Sequence, residues 1–179
     1  IAGFWDDASG GFYFTRADQP HLITRPKKLF DGATPGGNSI AAGALLRLAR
    51  LTGNADYAKR ATDTLAAVAA QAARIPRGFP ALLVSVIAHL DAPTEVVIAG
   101  APGDAETQAL VAAARKPFIP NRLVVVADPT ADGAAISGVL SVTQAKGLVD
   151  GKPAAYVCDA RGCLRPTTSP DELADLLAP

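Results

Sequence analysis

The stretch from Arg25 to Ser39 brings opposite charges, two prolines, three glycines and an amide side chain to the entrance of a predicted helix. A rigid helix positions such a loop, and glycines let a ligand come close. In a chemical reading, Asp31 is an acid/base or hydroxyl-binding group. Arg25, Lys27 and Asn38 are then its polar partners. In a structural reading, Asp31 and Asn38 satisfy backbone groups around a tight turn and a helix cap. The residue types alone fit both.

Other candidates are weaker. Asp6 and Asp7 could join Asp31 as paired carboxylates for acid/base work. An Asp pair ahead of Gly10 and Gly11 more commonly serves a turn. His21 lies in a polar loop with no evident partner, and His89, on an apolar helix, reads as a core or helix-end residue. Cys158 and Cys163 are spaced Cys-x4-Cys, and no second Cys/His pair completes a zinc site. They could face each other across a turn at 159–162, but two reduced, half-buried thiols are the favoured expectation. The Gly100–Asp104 turn follows a strand and opens a helix, where anions can bind. It lacks the phosphate-loop lysine and the dinucleotide glycine pattern, and Asp104 would repel phosphate, so nucleotide binding is rejected. No cofactor and no metal are expected.

The elements that must position these groups change character along the chain. Half of the aromatic residues fall in the first fourteen positions, around Asp6-Asp7 and Gly10-Gly11, which predicts a hairpin or paired short strands. Thr34 and Pro35 suit a helix start; Ile40, Ala44, Leu45, Leu48 and Leu51 follow at helical spacing, and Gly53 is a stop. Asn54 caps a second helix with Tyr57, Ala61, Leu65, Val68 and Ala72 on one stripe, and a third runs from Phe79 to His89. From Pro93 onward, buried-type strands at 95–99 and 122–127 flank a helix at 104–116, a βαβ pattern. Residues 130–150 are ambiguous. A third strand at 154–158, a return strand at 163–165 and a helix from Ser169-Pro170 complete the reading. The strand order is also similar to a thioredoxin-like arrangement with Pro153 ahead of the third strand. Without cysteines after the first strand it could not run dithiol exchange there, and packing or partner docking is expected instead.

The expected architecture is therefore α followed by α/β: helices over 1–92 and a small α/β domain over 93–179. Hydrophobic residues make up 49% of the chain against 19% charged, enough for packed cores. Seventeen basic and seventeen acidic residues balance, so no basic face marks a nucleic-acid partner. No apolar run reaches the length of a membrane span, and two cysteines do not make a disulfide scaffold, so a cytoplasmic setting is expected. The chain opens on Ile1 and holds no methionine, which reads as a start internal to a longer gene product. Three helices and a hairpin also leave each helix with an uncovered flank.

Two ordered motifs carry a resemblance. Phe4-Trp5-Asp6, Gly10-Gly11-Phe12-Tyr13-Phe14-Thr15, Arg25-Pro26-Lys27 and Asp31 to Ser39 form the first; Gly151 to Cys158, Cys163 and Pro166-Thr167-Thr168 form the second. Together they resemble the C-terminal part of the YyaL-type, spermatogenesis-associated thioredoxin-domain proteins. The resemblance implies an absent N-terminal thioredoxin-like domain. It also implies that 1–92 are the last hairpins of an α/α toroid like those of N-acylglucosamine 2-epimerases and six-hairpin glycosidases. A carbohydrate-like ligand at the toroid mouth, with epimerase- or glycosidase-like chemistry confined to the full-length protein, is what that fold implies; Arg25, Asp31 and Asn38 would then orient hydroxyls, and Trp5 and Tyr13 would stack on a sugar ring. The alternative is a non-catalytic scaffold or protein-interaction module, whose partner includes the missing N-terminal region.

Overall fold

The computed structural model describes residues 1–19, 22–129 and 138–178. His21 and much of the ambiguous 130–150 segment therefore lie outside the described residues. The chain forms two compact units, residues 1–50 with 54–90, and residues 51–53 with 91–179.

The first unit is an aromatic hairpin followed by three helices, α1 (Gly37–Thr52), α2 (Ala55–Arg74) and α3 (Pro80–Leu90). In the hairpin, Trp5 and Phe12 form an antiparallel bridge, with their rings edge to face at 5.0 Å. The turn passes through Gly10 (φ +69) and Gly11 (φ +78), left-handed conformations that disfavour a side chain. Asn54 caps α2 by accepting the Asp56 N–H at 2.8 Å, and α2 buries Ala61, Leu65, Val68 and Ala72. Leu65, Val68 and Ala72 pack with Ala42, Phe79 and Leu82, while Leu45 and Leu46 of α1 meet Ala61 in a second cluster.

The face that α1 buries differs from the expected stripe. Ala42, Leu45 and Leu46 are buried, whereas Ile40 is 55% exposed and Leu48 41%. The helix is apolar on more than one side, so its period cannot choose the face; its neighbours do. At Gly43 a Cβ would come within 2.9 Å of Ser85 Oγ, so the glycine permits the close approach of α3. The Ser85 hydroxyl donates to the Ser39 carbonyl across that contact, at 3.0 Å.

The second unit is built on a four-stranded sheet of β1 (Thr94–Ala99), β2 (Arg122–Ala127), β3 (Ala154–Asp159) and β4 (Gly162–Cys163), in the order β2-β1-β3-β4. β1 pairs in parallel with β2 and antiparallel with β3, and β4 folds back antiparallel on β3. Helices α4 (Ala105–Arg115) and α5 (Pro170–Leu176) contribute Leu110, Val111, Ala114 and Leu173 to a core with Val96, Ile98 and Val157. Asp104 caps α4, accepting the Thr107 N–H at 3.2 Å.

Cys158 and Cys163 are joined in a disulfide, which corrects the expectation of two free thiols. Gly162, at φ +127, turns the chain so that β4 returns on β3 with the two cysteines directly opposite each other.

Candidate functional site

Asp31 is fixed from three directions. Its Oδ1 accepts the Gly36 N–H at 2.6 Å, and its Oδ2 accepts the Ala81 and Leu82 N–H groups at 2.9 and 3.1 Å. The side chain is 4% exposed. It thus satisfies backbone donors at the start of two helices, which otherwise lack intrahelical partners. Helix α3 begins at Pro80 after Phe79, neither of which offers a capping oxygen; Asp31 supplies it from fifty residues away. Helix α1 starts at Gly37 rather than at the expected Thr34-Pro35, and the Gly36 N–H just ahead of it is the one that Asp31 Oδ1 accepts. Burial pushes the Asp31 carboxyl up, but the Gly36 amide, the Ser39 hydroxyl and the Leu82 and Ala81 amides together outweigh it and hold the group below its ordinary range. The buried Ser39 hydroxyl acts at a geometry too poor for a formed hydrogen bond.

Asn38 does similar work at the first turn of α1. Its Oδ1 accepts the Phe12 N–H at 2.6 Å, and its Nδ2 donates to the Phe12 and Lys28 carbonyls at 2.9 and 3.2 Å. Gly11 leaves room for it, since a Cβ there would come within 3.0 Å of Asn38 Oδ1.

Arg25 donates to the Gly3 and Thr15 carbonyls at 3.1 and 3.0 Å, and its guanidinium lies 4.1 Å from the centre of the Tyr13 ring. Lys27 pairs with Asp6 at 2.5 Å and donates to Ser9 Oγ and the Gly10 carbonyl. Asp6 also accepts the Ala8 N–H and the Ser9 hydroxyl, so it serves the hairpin turn. The Lys27 ammonium, then the Ser9 and Ala8 donors, hold the Asp6 carboxyl well below its usual range, and Asp6 in turn raises the Tyr13 phenol. Trp5 stacks edge to face on Phe12, with the Arg60 guanidinium 4.8 Å from its ring centre.

Beside this network runs a groove of about 670 Å³. Phe4, Phe12, Tyr13 and Phe14 form its hairpin wall, and Ala41, Ala44, Leu45 and Leu48 its α1 wall. Lys28, Thr34 and Asn38 bring polar groups to it. Of the predicted site residues, Asn38 borders the groove; Trp5, Arg25, Lys27 and Asp31 are not among the described lining residues. Sequence reasoning missed Phe4, Phe14, Lys28 and Thr34 as groove residues. The aromatic cluster around Gly10-Gly11 was the available signal for the first two. It also missed Arg60, which no local pattern on α2 links to Trp5. Among the described residues no group of three or more His, Cys, Asp or Glu could hold a metal, and no helix is long and apolar enough to cross a membrane.

The geometry defines an aromatic hairpin clamped by polar side chains onto a helical unit, followed in sequence by a small mixed-sheet unit. Human spermatogenesis-associated protein 20 is 32% identical to the chain over 177 residues, 98% of this chain and 22% of the human protein. The rat protein of the same name is 31% identical over 175 residues, 97% of this chain and 22% of its own length. An uncharacterized protein of Caenorhabditis elegans is 25% identical over 173 residues, covering 97% of this chain and 23% of that protein. No family model matches, and no solved structure matches. Over nearly its whole length the chain is similar to the proteins named spermatogenesis-associated protein 20, and it spans about a fifth of the length of these relatives.

Proposed function

We propose that this chain is the C-terminal part of a longer, thioredoxin-domain-containing cytoplasmic protein. In this reading its helical unit closes an α/α toroid of the six-hairpin glycosidase type, and the toroid holds a carbohydrate-like ligand. The observation that carries the ligand reading is the groove walled by Phe4, Phe12, Tyr13 and Phe14, with Lys28, Thr34 and Asn38 supplying polar groups. Concave sites with aromatic walls and few polar groups suit a ring-shaped ligand with an apolar face. Asp31, Arg25 and Lys27 then serve as positioning residues, since their polar atoms are engaged with backbone and neighbouring side chains. Trp5 backs the hairpin wall through Phe12. Any epimerase- or glycosidase-like chemistry would need groups from the rest of the longer protein.

The test is calorimetric titration of the full-length protein with a panel of mono- and disaccharides. Saturable binding is expected. Phe14→Ala, at a residue 70% exposed, should weaken it at least tenfold without changing the unfolding temperature. Failure of every sugar to bind would remove the ligand reading.

A scaffold reading is favoured by a separate observation. Val84, Ile87 and Leu90 of α3 are 66%, 53% and 75% exposed, an apolar face of the kind that partners cover. Its expected partner is the preceding part of the same longer protein.

A further inference from the structure

We infer that the Cys158–Cys163 disulfide is a thiol–disulfide exchange site whose reaction partner is a dithiol reductant. The inference stands apart from the ligand reading, because it rests on the second unit alone. Two observations carry it. First, the bond lies at the end of the sheet, where β4 has β3 as its neighbour, and Cys163 is exposed while Cys158 is 7% exposed. An attacking sulfur therefore has access to one sulfur and not readily to the other. Second, the hairpin has other supports. Asp159 accepts the Arg161 N–H at 2.8 Å and pairs with its guanidinium at 2.7 Å, Leu164 donates to the Val157 carbonyl at 2.9 Å, and Gly162 provides the turn conformation. The cysteines are five positions apart, so the bond closes a short loop and removes little chain entropy. Exposed disulfides with little structural duty are the readily exchanged ones.

The reaction balances as follows. A thiolate of the reductant attacks Cys163 Sγ, the Cys158–Cys163 bond breaks, and its electron pair leaves on Cys158 Sγ, which takes a proton from water. The second thiol of the reductant, as thiolate, attacks its own sulfur in the mixed disulfide and expels the Cys163 thiolate, which is then protonated. The reductant loses two electrons and two protons and becomes a disulfide; the chain gains both as two thiols. The α/β core of Val96, Ile98, Leu110 and Leu173 does not depend on the bond, so the fold persists in both states.

The experiment uses the whole chain with dithiothreitol as the probe. The native protein is incubated with the reductant, free thiols are alkylated, and intact mass is read beside far-ultraviolet circular dichroism. Two alkylations per chain without denaturant, an unchanged spectrum and re-formation of the bond by glutathione disulfide are the expected result. Alkylation only after denaturation would overturn the proposal, as would thiols that fail to re-form the bond in the folded chain. A pair of variants tests which sulfur is attacked. Cys163 in Cys158→Ser should react with glutathione disulfide at least tenfold faster than Cys158 in Cys163→Ser. Equal rates in two variants that retain the native spectrum would contradict Cys163 as the entry point.

Discussion

In the α/β unit, β1 is hydrogen-bonded on both sides, to β2 in parallel and to β3 antiparallel, and backbone pairs with backbone along its length. In the helical unit, the described part of residues 1–36 holds a single bridge, Trp5 with Phe12, and scattered backbone bonds such as Phe14 N–H to the Pro26 carbonyl, and side chains supply much of the remaining anchoring. Asp31, Asn38, Arg25 and Lys27 together engage backbone groups of Gly36, Ala81, Leu82, Phe12, Lys28, Gly3, Thr15 and Gly10. A segment without a ladder must find its backbone partners elsewhere, because buried backbone groups are rarely left unpaired. Charged and amide residues crowded into one loop can therefore mark an irregular segment that is tightly held, as readily as a reactive one.

Substitutions can break this contrast in graded steps. Because Trp5 is the one tryptophan of the chain, its fluorescence reports on the helical unit. Asp31→Ala leaves three amides without their acceptor and should lower the stability read by Trp5 in urea by about 3 kcal/mol. Asn38→Ala removes both bonds to Phe12 and should cost about 2 kcal/mol by the same measurement, loosening the hairpin first. The smallest effect belongs to Ile87→Ser on the exposed face of α3, less than about 0.5 kcal/mol in this chain. In the full-length protein the same change should cost more if another segment covers that face; thermal unfolding of both species decides.

Much of the fold was legible where one element's own residues decide it. The α2 stripe of Ala61, Leu65, Val68 and Ala72 is the buried face, and the cap at Asn54 and the Ser169-Pro170 start of α5 stand where the sequence puts them. The Trp5–Phe12 pairing follows from aromatics flanking two glycines. What escaped is decided at long range. Leu45 is buried as its place on the stripe implies, but the choice of Ala42 and Leu46 over Ile40, Ala44 and Leu48 depends on which neighbour approaches α1. The role of Asp31 depends on α3 arriving fifty residues later without a cap of its own. For the site, the loop 25–39 stands out by composition, but residue types could not separate a group that meets a ligand from one that meets an amide. For Cys158 and Cys163, spacing allowed the bond, and the register of β4 on β3 decided it.

The pH dependence of stability for the wild type and Asp31→Asn, both followed by Trp5 fluorescence in urea, tests the structural role of Asp31 most directly. The Asp31 carboxyl is held below its ordinary value of 3.8 in the folded chain. A depressed group contributes stability that is present above the unfolded value and is lost as pH falls through the folded one. The wild type should therefore exceed the variant near neutral pH, and the gap should close as pH drops below about 4. A gap that stays constant from neutral pH down to pH 2 would contradict the account, because the Asp31 charge would then not be what those amides hold.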